Sequence, residues 1–272
     1  MTKTFLVDGH VHFHPCFGVR DFLEAAVTNF DAARLEVGRP EAVGCLMFTE
    51  NAWRHDFTAF ADGLVTRSAP EWAVTATSED FSLLARRKDG ATLVFVAGRQ
   101  LVTEERLEVL ALGTRHRYSD GLPMAEAVES VAATDALTVL PWGFGKWTGR
   151  RGRLVKELLV SPRGRHLFVG DNGGRPAVGP NPPLFGLARE RGIPILPGSD
   201  PLPLPAEVRK PGRFGFVLEG EIDQHAPASS IKRLLLERIQ PRQFGRLAGL
   251  ATFAHRQVAL RLRKLATDDD HL

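Results

Sequence analysis

Strand-like and helical patterns of hydrophobic residues alternate along most of the chain. Short apolar runs that predict strands cover residues 5–12, 42–48, 136–140, 166–170, 193–196 and 214–218. Segments with apolar side chains at helical spacing cover residues 21–35, 57–64, 125–133, 154–160, 183–191, 231–239 and 244–265. Repeated strand–helix units predict a parallel sheet covered by helices, either open or closed into a barrel.

Residues 72–118 have a different pattern. Four strand-like runs follow one another with little helix between them, and Lys88-Asp89-Gly90 suits a hairpin turn. We predict an antiparallel β subdomain over 72–118, either inserted into the α/β frame or forming one edge of it. About six parallel strands remain outside it, fewer than the eight of a full barrel. The fold predicted for residues 1–272 is therefore one domain, a distorted or incomplete TIM-like (β/α) barrel with an inserted antiparallel sheet.

Composition narrows the class of protein. The chain has 272 residues, of which 43% are hydrophobic and 25% charged, as in soluble globular proteins. No apolar run approaches the roughly 18 residues that a membrane span needs. Two cysteines cannot form a disulfide framework, and the N-terminus becomes acidic at Asp8, too early for a signal peptide. These features predict a cytoplasmic protein.

Charge is distributed unevenly between the two halves. Residues 1–141 carry a net charge of −7 and residues 142–272 carry +10. The halves either attract each other as two sides of one fold, or the second half presents cations to an anionic ligand. Residues 231–264 hold nine Lys and Arg against one acidic residue, but few aromatic residues are interleaved with them. We therefore predict a small anionic substrate rather than nucleic acid.

The strongest local motif is Asp8-Gly9-His10-Val11-His12-Phe13-His14. Side chains alternate along a strand, so Asp8 and the three histidines share one face, while the opposite face is apolar. Burying imidazoles costs free energy unless each nitrogen finds a metal, an acid or a substrate as its partner. Hydrogen-bonded structural histidines are the alternative interpretation.

An Asp-x-His-x-His motif at the end of a first strand resembles the amidohydrolase superfamily and the related polymerase-and-histidinol-phosphatase (PHP) family. The segment Gly198-Ser199-Asp200-Pro201, after a late strand, is similar to the last-strand aspartate of these families. The resemblance implies metal-dependent hydrolysis on a barrel of strands and helices. It implies His10 and His12 as metal ligands, and Asp200 as a further ligand and the catalytic base.

The sequence departs from that family pattern in its middle strands. No histidine follows residues 136–140, 166–170 or 193–196, so we expect one divalent ion (zinc, manganese or iron) rather than two, or no ion at all. Glu50 and His55, after the second strand, are spare ligand candidates. His14, beside Pro15, is assigned to substrate binding.

Two further segments carry candidate chemistry. Lys146 lies in Trp142-Gly143-Phe144-Gly145-Lys146 and resembles the middle-strand lysine that amidohydrolases carboxylate. An anion contact or a Schiff-base amine are alternatives. Asp171-Asn172-Gly173-Gly174-Arg175 offers an anion nest and a bidentate guanidinium. We assign Lys146 to catalysis, and Trp142, Asn172 and Arg175 to substrate binding, although a solvated loop would also explain each segment.

Together these features predict a metal-dependent hydrolase that uses a metal-activated water on a phosphoester, amide or lactone. Lys146 and Arg175 would neutralise charge developing on the substrate. The alternative is a non-catalytic or metal-free barrel relative that binds an anionic ligand, or that assembles through its basic C-terminal half. The sequence leaves open whether the protein forms a homo-oligomer.

Overall fold

The computed structural model describes residues 2–162 and 166–269. Its strands are β1 (Thr2–Val11), β2 (Val43–Phe48), β3 (Trp72–Ala76), β4 (Ser82–Arg87), β5 (Thr92–Val96), β6 (Gly98–Val102), β7 (Glu108–Leu112), β8 (Leu137–Pro141), β9 (Leu167–Asn172), β10 (Ile195–Gly198), β11 (Phe214–Glu221) and β12 (Arg242–Gly245). Its α-helices are α1 (Val19–Val37), α2 (Asp56–Ala61), α3 (Leu64–Ser68), α4 (Met124–Ala132), α5 (Gly149–Val160), α6 (Pro183–Glu190), α7 (Pro227–Leu236) and α8 (Leu250–Asp269). A 3₁₀ helix covers Pro205–Arg209.

These strands form two mixed sheets. The first has the order β12-β11-β1-β2-β5-β4-β3, in which β1, β2 and β5 are parallel and the remaining pairs are antiparallel. The second has the order β10-β9-β8-β7-β6, in which β8, β9 and β10 are parallel. Only Ala97 separates β5 from β6, so the chain passes directly from the first sheet to the second.

The predicted TIM-like barrel is wrong. In a TIM barrel every strand runs parallel to its neighbours and a helix follows each strand. Here β3 to β7 follow one another without helices and pair mostly as antiparallel neighbours, which tight turns can connect. Within the described residues the strands therefore make two sheets with free edges rather than one closed barrel.

The segment 72–118, predicted to be an inserted antiparallel subdomain, is divided between the two sheets. Strands β3, β4 and β5 form one side of the seven-stranded sheet, and β6 and β7 form one side of the five-stranded sheet. Lys88-Asp89-Gly90 does form the turn between β4 and β5, with Gly90 at a φ of 99°. That positive φ suits glycine, which has no Cβ to clash there.

Three apolar clusters hold the layers together. The inner cluster joins the facing sides of the two sheets, for example Val7 and Met47 from the first and Val139 and Phe168 from the second. An outer cluster packs α1 and α2 on the seven-stranded sheet, and another packs α4, α5 and α6 on the five-stranded sheet. Non-directional burial of this apolar surface supplies most of the stabilisation.

The two C-terminal helices cover opposite ends of the space between the sheets. Helix α7 adds Ile231 and Leu235 to the inner cluster near the start of β1. Phe244, predicted to begin the last helix, instead lies buried in β12, and α8 begins at Leu250 near the end of β1. No helix in the described ranges has both the length and the apolar character of a membrane span.

Asp8 fastens β1 to two loops of the chain's second half. Its carboxylate is fully buried and accepts backbone N–H groups from Ser199 and Gly212, each at 2.8 Å, and from His10 at 3.3 Å. Burial raises the pKa of Asp8 to about 7, although the Ser199 hydroxyl and these N–H groups favour the charged form and oppose the rise. Asp8, the acidic residue of the motif, therefore stabilises the fold by holding these two loops against β1.

We expect Asp8→Ala to lower the free energy of unfolding by at least about 3 kcal/mol, because it leaves three buried N–H groups without an acceptor. Urea unfolding followed by circular dichroism measures this change. Asp62→Ala is the matched control, since Asp62 is exposed, and should change stability by less than about 0.5 kcal/mol. Equal stability of the two variants would show that Asp8 does not hold these loops.

Candidate metal centre

The site begins at the carboxyl end of β1. His10, His12 and His14 lie side by side, with ring centroids 5.0 Å apart for the first pair and 5.4 Å for the second. The side chains of His10 and His12 are only 7% and 10% exposed, and their Nε2 atoms are 3.1 Å apart. The predicted alternation therefore places all three imidazoles on one side of the strand end.

Asp200 reaches the same place from the loop after β10. Its backbone N–H donates to the carbonyl of His10 at 2.9 Å, and its Oδ1 lies 3.6 Å from Nε2 of both His10 and His12. The amide of Asn172, at the end of β9, donates to Asp200 Oδ2. Asp200 has a φ of 45°, a left-handed conformation that non-glycine residues adopt rarely and that occurs often at functional sites.

The electrostatics of this group favour a neutral imidazole beside a carboxylate. Burial and the neighbouring His10 lower the pKa of His12 to about 3, so this ring is uncharged at neutral pH. Burial disfavours a charged Asp200, but His10, His12, Arg256 and Lys146 together outweigh it and bring the pKa of Asp200 below its ordinary value. Neutral imidazole and ionised carboxylate are the forms that bind metal ions.

The geometry of these donors fits a divalent ion. Three donors held at about 2.1 Å from an ion, at tetrahedral angles, are roughly 3.4 Å apart. The separations here are 3.1, 3.6 and 3.6 Å. His10, His12 and Asp200 could therefore hold a metal without moving far, and two imidazoles with one carboxylate suit zinc, manganese and iron alike.

An open cleft of about 320 Å³ lies above this group. Six of the predicted site residues line it: His12, His14, Trp142, Lys146, Asn172 and Asp200. His10 lies beneath its floor. The structure thus brings together predicted residues that follow the carboxyl ends of β1, in the seven-stranded sheet, and of β8, β9 and β10, in the five-stranded sheet. The chemical roles of these residues stay predictions.

Arg175 is placed differently from these six residues. Its guanidinium makes a bidentate pair with Asp171, at 2.8 and 2.9 Å, and lies over the ring of Phe185. It is 8% exposed and is not part of the described cleft lining. The Gly-rich segment therefore uses its arginine to hold its own turn.

The spare ligand candidates also lie outside the donor group. Glu50 is buried, pairs with Arg99 at 2.7 Å and accepts the Phe57 N–H at 2.6 Å. Burial raises the pKa of Glu50, against the opposing effects of the Phe57 N–H and Arg99. His55 is exposed immediately before α2.

Sequence reasoning missed several residues of the cleft. Glu108, on β7, pairs with Lys146, and Arg256, on α8, pairs with Glu207 at 2.9 Å and donates to the Asp200 carbonyl at 3.0 Å. Phe253 precedes Arg256 by one helical turn and meets the ring of Phe144 edge-to-face at 5.0 Å. The helical spacing of Phe253, Arg256 and Leu260 was the available signal; Glu108 had none.

Comparison with known proteins gives a structural result only. No family model matches the sequence, and no curated protein matches it. PsfC from Pseudomonas syringae PB-5123 has a similar structure, with a TM-score of 0.53 and 13% identity over 97% of this chain and 99% of PsfC. The lesion-specific endonuclease PfuEndoQ from Pyrococcus furiosus matches with a TM-score of 0.50 and 12% identity over 89% of this chain. The fold resembles those of PsfC and endonuclease Q.

A second endonuclease Q structure, with a TM-score of 0.50 and 13% identity, bears on the predicted partner. That protein is bound to a 27-mer duplex with an abasic lesion at its active site. The prediction of a small anionic substrate rather than nucleic acid is therefore wrong, because this structural neighbour holds a DNA duplex at its active site. This chain covers 58% of PfuEndoQ and 60% of the endonuclease in the complex, so each of those chains contains a large part without a counterpart here.

Proposed function

We propose that this protein is a metal-dependent hydrolase that cleaves a phosphodiester bond of nucleic acid. The convergence of His10, His12 and Asp200 on one point at the floor of an open cleft carries the proposal. The likeness of the fold to an endonuclease supports the substrate class. The PHP and amidohydrolase resemblance of the motifs around His10 and Asp200 agrees with this reaction type.

The charges at the cleft explain why a metal is needed. Lys146 is paired with Glu108, and Arg256 with Glu207, so the remaining charge is that of Asp200. Counted with Glu207, which pairs with Arg256 from outside the lining, these five groups have a net charge of −1, and a divalent ion on Asp200 would change that charge to +1 and attract a phosphodiester. When bound, such an ion supplies Lewis-acid stabilisation of phosphoryl charge and activates water for attack.

Asp200, Asn172 and Lys146 have separate roles in the proposed site. A carboxylate with a lowered pKa is a weak general base, so the environment of Asp200 favours the ligand role over the base role. Asn172 orients that carboxylate through its hydrogen bond to Oδ2. Lys146, at the cleft wall, can move from Glu108 towards an incoming phosphate, since its side chain is 33% exposed.

Three aromatic side chains supply a surface for bases. Trp142, Phe144 and Phe253 line the cleft, and Phe144 is 58% exposed. Aromatic rings beside a strand of nucleic acid stack on its bases with little regard to sequence. This wall therefore suits a single strand or an extruded nucleotide, with the adjacent phosphate near Asp200.

Metal binding and cleavage test the proposal together. Protein stripped with chelator should bind one Mn²⁺ or Zn²⁺ by calorimetry, and with that ion should cleave labelled single-stranded, duplex or abasic oligonucleotides. His12→Ala should weaken metal binding by at least about 100-fold, whereas His255→Ala, an exposed histidine of α8 outside the cleft, should not. Absence of metal binding contradicts the centre, and metal binding without cleavage of any of these substrates contradicts the nuclease.

Phe144→Ala should weaken the binding of a single-stranded oligonucleotide by about 5- to 100-fold, because one base-stacking surface is lost. Fluorescence anisotropy with the metal-loaded protein measures this affinity. Val258→Ala is the matched control, as Val258 is 56% exposed on α8 but does not line the cleft. Equal affinities of the two variants would remove the aromatic wall from the binding surface.

A further inference from the structure

A second, smaller pocket lies on the other side of the Asp200 loop. Its volume is about 60 Å³, room for roughly four water-sized groups, which is also the number of oxygens in a phosphate. It lies between Ser199, the turn Lys210–Arg213 before β11, and residues 246–252 at the start of α8. It shares no lining residue with the metal cleft.

The lining of this pocket is strongly cationic. Lys210, Arg213 and Arg246 line it, and no acidic residue does. None of these three side chains forms an ion pair or a hydrogen bond with residues 2–162 or 166–261, the part of the chain whose side chains the structure describes. Glu207 attracts Lys210 from outside the pocket lining and is itself paired with Arg256 at 2.9 Å. Arg213 and Arg246 are exposed and Lys210 is half-buried, so the three cations give this concave space a positive potential that attracts anions from solvent.

A buried hydroxyl in the same pocket points to a ligand independently. Ser199 is 3% exposed, and its Oγ has no hydrogen-bond partner among the described residues. The hydroxyl lies beside the Asp8 carboxylate, close enough to favour its charged form but not aligned with it as a hydrogen-bond donor. A buried hydroxyl without a well-aligned partner is uncommon in native proteins, where an ordered water or a bound ion usually satisfies it.

The backbone around the pocket is rigid and also suits an anion. Asp8 binds the N–H of Ser199 and of Gly212, and so holds two walls of the pocket at a fixed separation. Gly212 has a φ of 76°, which allows the turn that brings Lys210 and Arg213 together. The twenty-residue helix α8 begins at the third wall, where its first N–H groups lack helical acceptors.

Burial lowers the pKa of Lys210, and Arg213 and Arg256 lower it further, while Glu207 alone opposes them. An unpaired ammonium group held among other cations is unfavourable without a counter-charge. An anion bound beside Lys210 would therefore stabilise the charged form of its ammonium group, and the ammonium group would in turn attract the anion.

We propose that this pocket, formed by Ser199, Lys210, Arg213, Arg246 and the start of α8, binds a phosphate group. Each guanidinium group can donate two parallel hydrogen bonds to two phosphate oxygens, and the Ser199 hydroxyl can donate a further one. The site does not depend on the metal centre. Its phosphate is either free or the end of a nucleic-acid strand whose adjoining nucleotides enter the cleft on the far side of Asp200.

Calorimetry of the full chain in excess chelator tests the site with inorganic phosphate at constant ionic strength. We expect saturable binding of one phosphate, and a loss of affinity of at least about tenfold in Arg213→Ala/Arg246→Ala. Arg209→Ala/Arg242→Ala removes the same charge from two exposed arginines outside the pocket, and should change affinity by less than about twofold. Non-saturable binding, or an equal loss in both double variants, would overturn the proposal.

Ser199→Ala and two oligonucleotides complete the experiment. Ser199→Ala should weaken phosphate binding while leaving metal affinity unchanged, because the hydroxyl does not belong to the metal donor group. If the source is a strand end, a 5′-phosphorylated oligonucleotide displaces inorganic phosphate and its 5′-hydroxyl counterpart does not; if neither displaces it, the ligand is free phosphate. Metal affinity is measured separately without chelator, and since the phosphate titrations are done in excess chelator, a failed metal centre leaves their result intact.

Discussion

Asp200→Asn should remove metal binding and hydrolysis while leaving the fold intact. Asp200 is the one anionic donor of the group, so its loss should lower metal affinity by at least about 100-fold. The rate of hydrolysis should fall by about 10³-fold or more, which corresponds to several kcal/mol of lost charge stabilisation. Asparagine tolerates the left-handed φ of 45° at this position, so the substitution changes the charge with little effect on the backbone.

Calorimetry with Mn²⁺ and Zn²⁺, together with cleavage of a labelled oligonucleotide, measures both effects. Asp62→Asn is the matched control, because Asp62 is exposed on the surface and outside the cleft. Circular dichroism should show that both variants fold like the wild-type protein. If Asp200→Asn retains wild-type metal affinity, the donor group is not the metal centre.

Gly198→Ala should both destabilise the protein and weaken metal binding. A Cβ at position 198 would lie less than 3 Å from the backbone nitrogen and Cα of His10. Because these are backbone atoms, β10 has to move away from β1, and the overpacking should cost about 1–3 kcal/mol of stability. The same movement separates Asp200 from His10 and His12, so we expect metal affinity to fall by about 10- to 100-fold.

Gly186→Ala is the matched control: it also replaces a glycine by alanine, but we expect it to stabilise the protein. Gly186 lies within α6, and a Cβ there meets no atom within 4 Å. Alanine is a better helix former than glycine, so this variant should gain about 0.5–1 kcal/mol of stability without a change in metal affinity. Urea unfolding and calorimetry on both variants separate packing from metal binding. Normal metal affinity in Gly198→Ala would show that the approach of β10 to β1 does not position Asp200.

Local periodicity was sufficient for most of the elements and for two of the three residues of the donor group. The apolar runs predicted β1, β2, β8, β9, β10 and β11 because burial on both faces leaves a continuous hydrophobic sequence. The two-residue repeat placed His10 and His12 together because a strand turns alternate side chains to the same face. Neither conclusion needs information from elsewhere in the chain.

The arrangement of the sheets could not be predicted in the same way. The strand-like runs in 72–118 do not indicate which strands pair with each other. The chain passes from one sheet to the other at a single residue, Ala97, which no sequence pattern marks. Pairing is decided by contacts between strands far apart in sequence. Counting parallel strands therefore led to a barrel, whereas the hairpins of β3 to β7 produce two sheets with edges.

The roles of charged residues depended most on tertiary contacts. Arg175 looks like an anion contact in the sequence, yet Asp171 occupies its guanidinium. Conversely, Lys210 and Arg213 have no distinguishing pattern in the sequence, and the fold places them on a pocket that no acidic residue lines. A side chain's chemistry follows from whether a partner is within reach, and only folding determines that.

The sequence alone determined a layered α/β protein with imidazoles clustered at the end of its first strand, because these properties follow from the repeat of each element. The tertiary structure decided that Asp200 meets these imidazoles at 3.6 Å, that Asp8 holds two loops instead of joining them, and that two separate pockets flank the Asp200 loop. The reason is physical: hydrogen bonds and ion pairs act over a few ångströms, and residues distant in sequence come within that range only in the folded chain.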